Sequence, residues 1–349
     1  MAVLAVVTSS PPGVEGGHLV IARSLVEAAR EQGHDAHLVV TPDYGFGRTW
    51  ETYRANWSTD VNRVVAGSGG KVDQVISLRY PSYAVKHPAH VCWLNHTMRE
   101  YYDVWPRFAA SISARNRLKE GTRKALIRTA DWWLLHYRVS EVVAQSRTIQ
   151  QRLRDDLGVR ADVLWPPPPQ RAYRCDEYGD YILAVSRLTP MKRLDLLVRA
   201  LAEPAAKHVR LVIAGDGESR ASLEALALSL GLAGRVSLVG RLDDAALAAH
   251  LGRCRAVCFP PLSEDYGFVT VEAFASAKAV VTCSDSGGPA ELVRDGESGL
   301  VCEPTPAGLA VALARLMDDR ALAERLGTGA AAQVAGMKWP DAVKRLVIV

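Results

Sequence analysis

The chain has 349 residues, of which 48% are hydrophobic and 23% are charged, and its formal net charge at pH 7 is +4. This length predicts two α/β domains, and the composition excludes a disordered chain. So small a net charge argues against a nucleic-acid-binding protein, whose basic residues would dominate. The six cysteines include no C-x-x-C pair, so we expect reduced thiols and no zinc site.

The first apolar run, residues 2–8, predicts a buried strand and not a secretion signal, because it is short and lacks a basic leader. No apolar run reaches the roughly 18 residues that a membrane span requires. We therefore expect a cytoplasmic protein that is not integral to a membrane.

Short apolar runs alternate with amphipathic stretches along the whole chain. The apolar runs predict strands at residues 2–8, 37–41, 72–77, 90–94, 180–185, 209–214, 256–259 and 279–282. Helical patterns lie between them, for example at residues 194–201, 219–230 and 309–317. This alternation is typical of parallel sheets covered on both faces. Four consecutive prolines, residues 166–169, predict a stiff connector between two domains.

One motif, residues 263–273, follows a predicted strand and opens a predicted helix. Gly267 frees the backbone near the helix start, where unpaired N–H groups favour an anion or sugar hydroxyls. Glu264 lies in the preceding loop and Glu272 in the second helical turn, and we expect both carboxylates to project toward one cleft. The alternative is that Glu264 caps the helix and Glu272 is an ordinary solvated residue.

A second motif, residues 185–195, places Arg187 and Lys192 at the carboxyl end of a strand and beside a helix start. Arginine binds a diphosphate with two parallel hydrogen bonds, and lysine supplies a mobile point charge. Arg193 competes for the second role, but we assign it to a solvated helix face.

Two glycine-containing turns also follow strands. In residues 214–218, Gly215 and Gly217 permit a tight turn, although a single G-x-G is weak evidence for phosphate binding. In residues 284–292, two glycines bring the backbone close to a neighbour or simply form a tight turn.

These motifs, in this order and spacing, resemble glycosyltransferase family four of the GT-B fold over nearly the whole chain. The resemblance implies an α/β, GT-B architecture of two doubly wound, Rossmann-like domains that face each other across a cleft. Residues 1–165 would form the acceptor-side domain and residues 170–335 the domain that binds the nucleotide-sugar donor. Residues 336–349 would form a closing helix, starting near Trp339, that packs back toward the first domain.

The family's two glutamates match Glu264 and Glu272, which would contact the donor sugar and the nucleotide ribose. Its R-x-x-x-x-K pair, which binds the donor phosphates, matches Arg187 and Lys192. The remaining donor-side positions that the resemblance and the glycine turn suggest are Gly215, Val239, Gly240, Arg241, Tyr266, Gly267, Phe268 and Val269.

The N-terminal half contributes two further candidates. Gly16 and Gly17, in the loop after the first strand, would approach the donor phosphates as the family's glycine loop does. His96 follows the strand ending at Leu94 and resembles the family's histidine near the reacting carbon. The alternative for His96 is a structural histidine, and His18 is a lesser candidate.

The resemblance implies a retaining glycosyltransferase of the hexosyltransferase type, with a UDP- or GDP-sugar donor and a hydroxyl of a glycan, glycolipid or small molecule as acceptor. No third carboxylate is an obvious nucleophile, which favours front-face displacement. Arg187 and Lys192 would stabilise the leaving diphosphate, so no metal or other cofactor is expected. The alternatives are a silent nucleotide-sugar-binding homologue and a sugar-nucleotide epimerase. A dehydrogenase is disfavoured because no G-x-G-x-x-G follows the first strand.

Residues 107–128 contain seven arginines and lysines and one acid, Glu120. The residues Phe108, Ile112, Leu118, Ala125 and Leu126 form a rough apolar stripe. Such a stretch predicts either peripheral contact with the inner membrane surface, where lipid-linked acceptors lie, or a solvated helix packed on the first domain.

Overall fold

The computed structural model describes residues 1–13, 16–65 and 71–349, which divide into two units. Unit 1 comprises Met1–Pro166 and Lys338–Val349, and unit 2 comprises Pro167–Met337. Each unit contains one six-stranded sheet in which every adjacent pair of strands is parallel. The predicted α/β class with parallel sheets is confirmed.

The central strands form where β-branched and small apolar residues follow one another and are buried on both faces, whereas edge strands such as residues 236–240 are partly exposed. In chain order they are β1 (Val3–Ser10), β2 (Asp35–Pro42), β3 (Gln74–Ser77), β4 (His90–Leu94), β5 (Glu141–Ala144), β6 (Asp162–Val163), β7 (Ile182–Val185), β8 (Leu211–Ala214), β9 (Val236–Gly240), β10 (Ala256–Cys258), β11 (Val280–Cys283) and β12 (Gly299–Cys302). The eight predicted strands are present, and the sequence reading had missed β5, β6, β9 and β12.

The helices cover the sheets. They are α1 (Gly17–Glu31), α2 (Thr49–Ser58), α3 (Val61–Val65), α4 (Trp105–Ser111), α5 (Ala114–Tyr137), α6 (Arg147–Leu157), α7 (Leu194–Ala200), α8 (Arg220–Ser229), α9 (Asp244–Arg253), α10 (Phe268–Ala275), α11 (Gly288–Leu292), α12 (Pro306–Asp318), α13 (Arg320–Val334) and α14 (Trp339–Leu346). None of the helices in the described part of the chain is long and apolar enough to cross a membrane.

Helix α12 shows how the local sequence sets these elements. Thr305 precedes it and its hydroxyl accepts a hydrogen bond from the Gly308 amide, while Pro306 occupies the first helical position. Leu309, Leu313 and Leu316 recur at helical spacing and are fully buried in the core of unit 2. Burial of each leucine contributes about 1.5–3 kcal/mol to the free energy of folding.

The strand order identifies where each sheet reverses direction. Unit 1 has the order β2-β1-β3-β4-β5-β6, and unit 2 has the order β12-β11-β10-β7-β8-β9. The reversal lies between β1 and β3 in unit 1 and between β7 and β10 in unit 2. Loops diverge at such a point, beyond the carboxyl ends of the strands, and leave a crevice where ligands bind. In unit 2 these are the loops that carry Lys192 and Glu264.

Helix α14 belongs to unit 1 although it follows unit 2 in the chain. Its Trp339 ring lies 6.2 Å from the Trp93 ring, edge to face. The Gln74 side chain donates to the Leu346 carbonyl at 2.7 Å and accepts from the Ile348 amide at 2.8 Å. Helix α14 begins at Trp339, the start that the sequence analysis expected for the closing helix, and a proline follows in the first turn.

The basic stretch at residues 107–128 is not one helix. Helix α4 ends at Ser111, and α5 begins after Ser113, whose hydroxyl accepts from the Asn116 amide. Two residues of the predicted apolar stripe do not pack on unit 1, because Leu118 is 78% exposed and Leu126 51% exposed. The side of α5 that packs on unit 1 carries other residues, which include Ile127.

A buried carboxylate joins α5 to three other segments of unit 1. Asp131 is fully buried and its Oδ1 accepts hydrogen bonds from the Tyr53 and Tyr83 hydroxyls, while Oδ2 accepts from Tyr102 at 2.6 Å. Burial raises the pKa of Asp131 to about 6, and the three phenols and Arg128 oppose that rise. The network holds α2, α5 and the segments around residues 83 and 102 in one arrangement.

Candidate functional site

An ion pair joins the loops after β7 and β10 at the point where the unit 2 sheet reverses. The Lys192 Nζ lies 2.7 Å from both carboxylate oxygens of Glu264. Their side chains are only 14% and 17% exposed, and the ammonium lies 5.5 Å from the centre of the Phe259 ring. The structure therefore brings together two residues that separate sequence motifs had predicted, with both charges near the surface.

Arg193 has a different role from the one the sequence suggested. Its guanidinium donates to the carbonyls of Pro260 and Pro261 at 2.8 Å and pairs with Asp285 at 2.6 and 2.7 Å. Its side chain is 16% exposed, and its backbone is left-handed with φ of +49°. The prediction of a solvated helix face was wrong: Arg193 fastens the loop after β7 to the loops after β10 and β11.

The two glycines after β11 form a backbone support for Glu264. The Glu264 amide donates to the Ser286 carbonyl at 2.9 Å, and the Glu264 carbonyl accepts from the Gly288 amide at 2.9 Å. A Cβ on Gly287 would lie 2.4 Å from the Glu264 carbonyl oxygen, so only glycine fits. Ser263 precedes Glu264 with φ of +49°, a strained conformation of the kind that clusters at functional sites.

Gly267 starts α10 with φ of +81°, which side chains other than glycine rarely adopt. A Cβ there would lie 2.8 Å from both the Phe259 ring and the Pro289 ring. The adjacent Tyr266 and Val269 are buried, 4% and 6% exposed. Contact between the donor and residues 266–269, Phe268 included, stays a prediction from the sequence.

Glu272 is buried, so the alternative of an ordinary solvated helix residue is wrong. It is 5% exposed, its carboxylate pairs with the Arg171 guanidinium, and the Tyr173 hydroxyl lies 3.4 Å away. Arg171 also pairs with Asp244 of α9 at 2.9 Å. The sequence analysis did not predict Arg171 and Tyr173. The only signal for them is that a buried carboxylate such as Glu272 needs a counter-charge.

The remaining phosphate-side candidates lie around the end of β7. Arg187 is exposed, with no ion-pair partner among the residues that the structure describes. Gly215 has φ of +135°, and a Cβ there would lie 1.8 Å from the Ser186 carbonyl oxygen. Gly217 approaches the Leu188 backbone in the same way. The two glycines let the turn after β8 pack against the backbone that presents Arg187.

The donor-side candidates Val239, Gly240 and Arg241 border that turn. The Gly215 amide donates to the Gly240 carbonyl at 2.7 Å, so the end of β9 lies directly beside the glycine turn. Val239 is 42% exposed and Arg241 is exposed. The three residues of this segment are therefore accessible next to Gly215.

In unit 1, Gly16 and Gly17 lie at the start of α1, just beyond the carboxyl end of β1. Gly17 is exposed. Val14 and Glu15, in the same loop, lie outside the described residues.

His96 follows β4 in unit 1 and is partly buried. Its Nδ1 lies 2.7 Å from the Thr97 carbonyl oxygen, which fixes the proton on Nδ1 and the lone pair on Nε2 of the neutral ring. Burial lowers the pKa of His96 to about 3, and the nearby cations Arg79, Arg99 and Arg152 lower it further. His96 is therefore a neutral hydrogen-bonding group at neutral pH and not a cation.

Among the residues that the structure describes, no group of three or more histidine, cysteine, aspartate or glutamate side chains could hold a metal ion. All six cysteines are free thiols.

Comparison with known proteins identifies the family of unit 2. Residues 170–333 match the family model described as glycosyl transferases group 1. Unit 2 belongs to this family. The matched range begins just before Arg171 and contains both residues of the Lys192–Glu264 pair.

Two curated relatives illustrate the range of the group. D-inositol 3-phosphate glycosyltransferase of Nocardia farcinica is 34% identical over 181 residues, which cover 48% of this chain and 40% of the relative. Exopolysaccharide phosphotransferase SCO2592 of Streptomyces coelicolor is 30% identical over 263 residues, which cover 70% of this chain and 27% of the relative. The chain thus spans less than half the length of the curated relatives it matches.

Solved structures match the fold of nearly the whole chain. Sucrose-phosphate synthase from Thermosynechococcus elongatus has a TM-score of 0.78 at 18% identity, with 98% of this chain and 96% of that chain covered. Anabaena Alr3699/HepE, in complex with UDP and glucose, has a TM-score of 0.72 at 17% identity, with 98% and 97% covered. The predicted GT-B fold is confirmed.

Proposed function

We propose that this protein is a retaining glycosyltransferase that moves a sugar from a UDP- or GDP-sugar to a hydroxyl group without a metal ion. The observation that carries the proposal is the Lys192–Glu264 ion pair. It lies beside Arg187 and the glycine-led start of α10, where the sheet of a group 1 glycosyltransferase unit reverses. A nucleotide-sugar needs cations for its diphosphate and acceptors for its sugar hydroxyls, and this crevice offers both.

The cations bind the leaving group in this proposal. Arg187 is exposed and projects from the strand end, so it can hold a diphosphate oxygen pair. Lys192 is fixed by Glu264, which leaves its ammonium a further donor for a phosphate oxygen. Preorganised charge of this kind stabilises a developing anion without reorganisation during the reaction.

The glutamates bind the rest of the donor. Glu264 has acceptor capacity beyond Lys192 and lies at the mouth of the loop, where it would accept from sugar hydroxyls. Glu272 would accept from ribose hydroxyls, held in place by Arg171 and Tyr173. Support for a uridine nucleotide comes from Alr3699/HepE, a protein of the same fold that was solved with UDP and glucose.

The chemical step is a front-face displacement. The bond between the anomeric carbon and the diphosphate oxygen breaks, the acceptor oxygen bonds to the same face of that carbon, and the acceptor proton passes to the leaving diphosphate. Arg187 and Lys192 stabilise the negative charge that the diphosphate gains. The acceptor is a hydroxyl of a glycan, a glycolipid or a small molecule bound by unit 1. Within unit 1, the neutral His96 can offer its Nε2 lone pair to a sugar or acceptor hydroxyl.

Proton NMR with a panel of UDP-, GDP- and ADP-sugars, with chelator present, tests the proposal. Saturation transfer reports which donor binds, and the anomeric signals report whether sugar is released and with which configuration. The expected result is that one donor binds and slowly releases its sugar with the configuration retained. Addition of Mg²⁺ or Mn²⁺ should leave the rate unchanged.

Other outcomes would replace the proposal with a specific alternative. If a donor binds but its sugar is not released with any acceptor from a panel of polyols and glycans, the protein is a catalytically silent homologue that binds a nucleotide-sugar. Appearance of a second sugar still attached to its nucleotide would indicate an epimerase. Release with inverted configuration would exclude the front-face mechanism.

A further inference from the structure

Helix α5 of unit 1 has an outward face that is unusually apolar for a solvated helix. Five of its large hydrophobic residues are exposed: Leu118 (78%), Leu126 (51%), Trp132 (40%), Trp133 (40%) and Tyr137 (64%). At 3.6 residues per turn they lie on one side of the helix, opposite its buried face. The helix has 24 residues and is about 36 Å long, so the apolar face extends over most of its length.

The acidic residues of α5 lie on its buried face and are therefore absent from its outward face. Within Ala114–Tyr137, all of which the structure describes, the only carboxylates are Glu120 and Asp131, and both are buried. Glu120 accepts from the Tyr101 hydroxyl at 2.7 Å and from Arg123 at 2.8 Å. The cations Arg115, Arg117 and Lys119 are exposed in the first two turns. The outward face is therefore apolar and cationic, with no negative side chain.

The carboxyl-terminal end of α5 adds an aromatic and cationic cluster. The Trp133 ring lies 5.8 Å from the Trp57 ring, and the Lys86 ammonium lies 4.1 Å above Trp57. Lys86, Tyr137 and Arg138 also line an open surface depression of about 460 Å³. Tryptophan, tyrosine and long cations in one patch are typical of side chains at the interface between bilayer and water.

We propose that the outward face of α5 docks on an anionic lipid bilayer, with the helix lying in the plane of the membrane surface. Leu118, Leu126 and Trp132 enter the boundary between headgroups and acyl chains, while Arg115 and Lys119 contact the phosphates. The depression beside Arg138 is open to a lipid headgroup. Charge complementarity selects this occupant, because a second copy of the chain would bring the same cations face to face.

This surface differs from the stripe that the sequence suggested. That stripe began in α4, with Phe108, and the chain breaks between α4 and α5 at residues 112–113. The outward face instead runs to Tyr137, beyond the basic segment. Sequence periodicity does not reveal it, because α5 is apolar on two sides: one side packs on unit 1 and the other is exposed.

Vesicle co-sedimentation of the full chain tests the proposal without reference to its enzymatic reaction. The probe is a pair of vesicle preparations, phosphatidylcholine alone and phosphatidylcholine with an equal part of phosphatidylglycerol. The wild type should bind the anionic vesicles and release them as the salt concentration rises. Brominated acyl chains should quench its tryptophan fluorescence, since all eight tryptophans lie in unit 1.

Two matched pairs of variants locate the contact. The double variant Leu118→Glu, Leu126→Glu should lower binding to anionic vesicles by at least about tenfold. Leu228→Glu, at a leucine of α8 that is 71% exposed, should not change it. Arg115→Glu should weaken binding by about fivefold, whereas Arg199→Glu, on the exposed side of α7, should leave it unchanged. All five positions are exposed, so each variant should keep the wild-type circular dichroism spectrum.

Several results would overturn the proposal. One is equal binding by the wild type and the Leu118→Glu, Leu126→Glu variant, and another is an equal loss in the Leu228→Glu control. Binding to both vesicle types alike would remove the role of the cations. A dimer that forms without vesicles and dissociates in the double variant would identify a second copy of the chain as the occupant.

Discussion

Each unit holds a carboxylate bound by hydrogen-bond donors, and the two are built in opposite ways. In unit 2, Glu264 lies at the carboxyl ends of the strands, 17% exposed and matched by the single ammonium of Lys192. In unit 1, Asp131 is fully buried and receives three phenol hydroxyls. An ion pair that keeps some contact with solvent can exchange partners with a ligand, whereas a fully buried carboxylate can only fix the segments around it.

From this contrast we expect the largest functional loss when the Lys192–Glu264 pair is changed. Lys192→Met and Glu264→Gln should each reduce sugar transfer by about 100- to 1,000-fold, because each removes preorganised polar contacts to the donor. Turnover of the donor identified by NMR, measured for each variant, checks this. Lys207→Met, at an exposed lysine of unit 2, is the control and should retain activity. Near-normal rates for both site variants would remove these residues from the reaction.

The loop that presents Glu264 should be sensitive to a single methyl group. Gly267→Ala should lower the free energy of unfolding by about 3 kcal/mol, from a left-handed backbone and overlap with two rings. Gly231→Ala has a similar φ of +68° but open space, so it should cost only about 1 kcal/mol. Urea unfolding followed by circular dichroism compares the two. Equal costs would show that the rings around Gly267 move aside.

The buried Asp131 site should be visible in the pH dependence of stability. The pKa of Asp131 is raised from 3.8 to about 6 in the folded protein, so the folded state binds its proton more tightly than the unfolded state. Its contribution is fully present below about pH 4 and is lost as the pH rises through about 6, a change of about 3 kcal/mol.

Tryptophan fluorescence during urea unfolding reads this change in unit 1, which contains all eight tryptophans. Asp131→Asn keeps Oδ1 for Tyr53 and Tyr83 but cannot titrate, so it should flatten the profile between pH 4 and 7. An identical slope in the wild type and the variant would mean that the phenols hold the pKa of Asp131 near its ordinary value.

The smallest of the four predicted effects concerns Glu272. This residue is buried, as Asp131 is, and is expected to contact the donor, as Glu264 is. Arg171→Met should raise the donor dissociation constant by about tenfold, since Glu272 loses the cation that holds its carboxylate in position. Titration calorimetry with the donor measures it. Arg174→Met, at an exposed arginine three residues further along the chain, should leave the constant unchanged.

The contrast between the Lys192–Glu264 pair and the Asp131 network also shows which contacts can be predicted from the sequence. Lys192 and Glu264 were predictable because each stands at a fixed position after a buried strand, and parallel strands deliver such positions to one edge of the sheet. Tyr53, Tyr83, Tyr102 and Asp131 were not, because they come from four distant segments and no local pattern relates them. Arg171 and Arg193 were missed or misassigned for the same reason, since their partners are set by the tertiary fold.

Glycines were predictable only in part. Gly267 was recognised by its place at a helix start, and the structure adds the two rings that exclude a side chain. For Gly287 and Gly288 the sequence did not distinguish a close backbone contact from a simple tight turn. Their contact with the Glu264 backbone is visible only in the folded structure. The sheets themselves followed from alternation along the chain, although short strands such as β6 gave no signal.

The membership of α14 in unit 1 makes unit 2 an insertion within unit 1. The ribosome therefore synthesises every residue of unit 2 before the helix that packs on α1 and Gln74. Nascent domains usually fold from the amino terminus onward. Here the connectivity delays the completion of unit 1, because Trp339 is added only after the whole of the inserted unit.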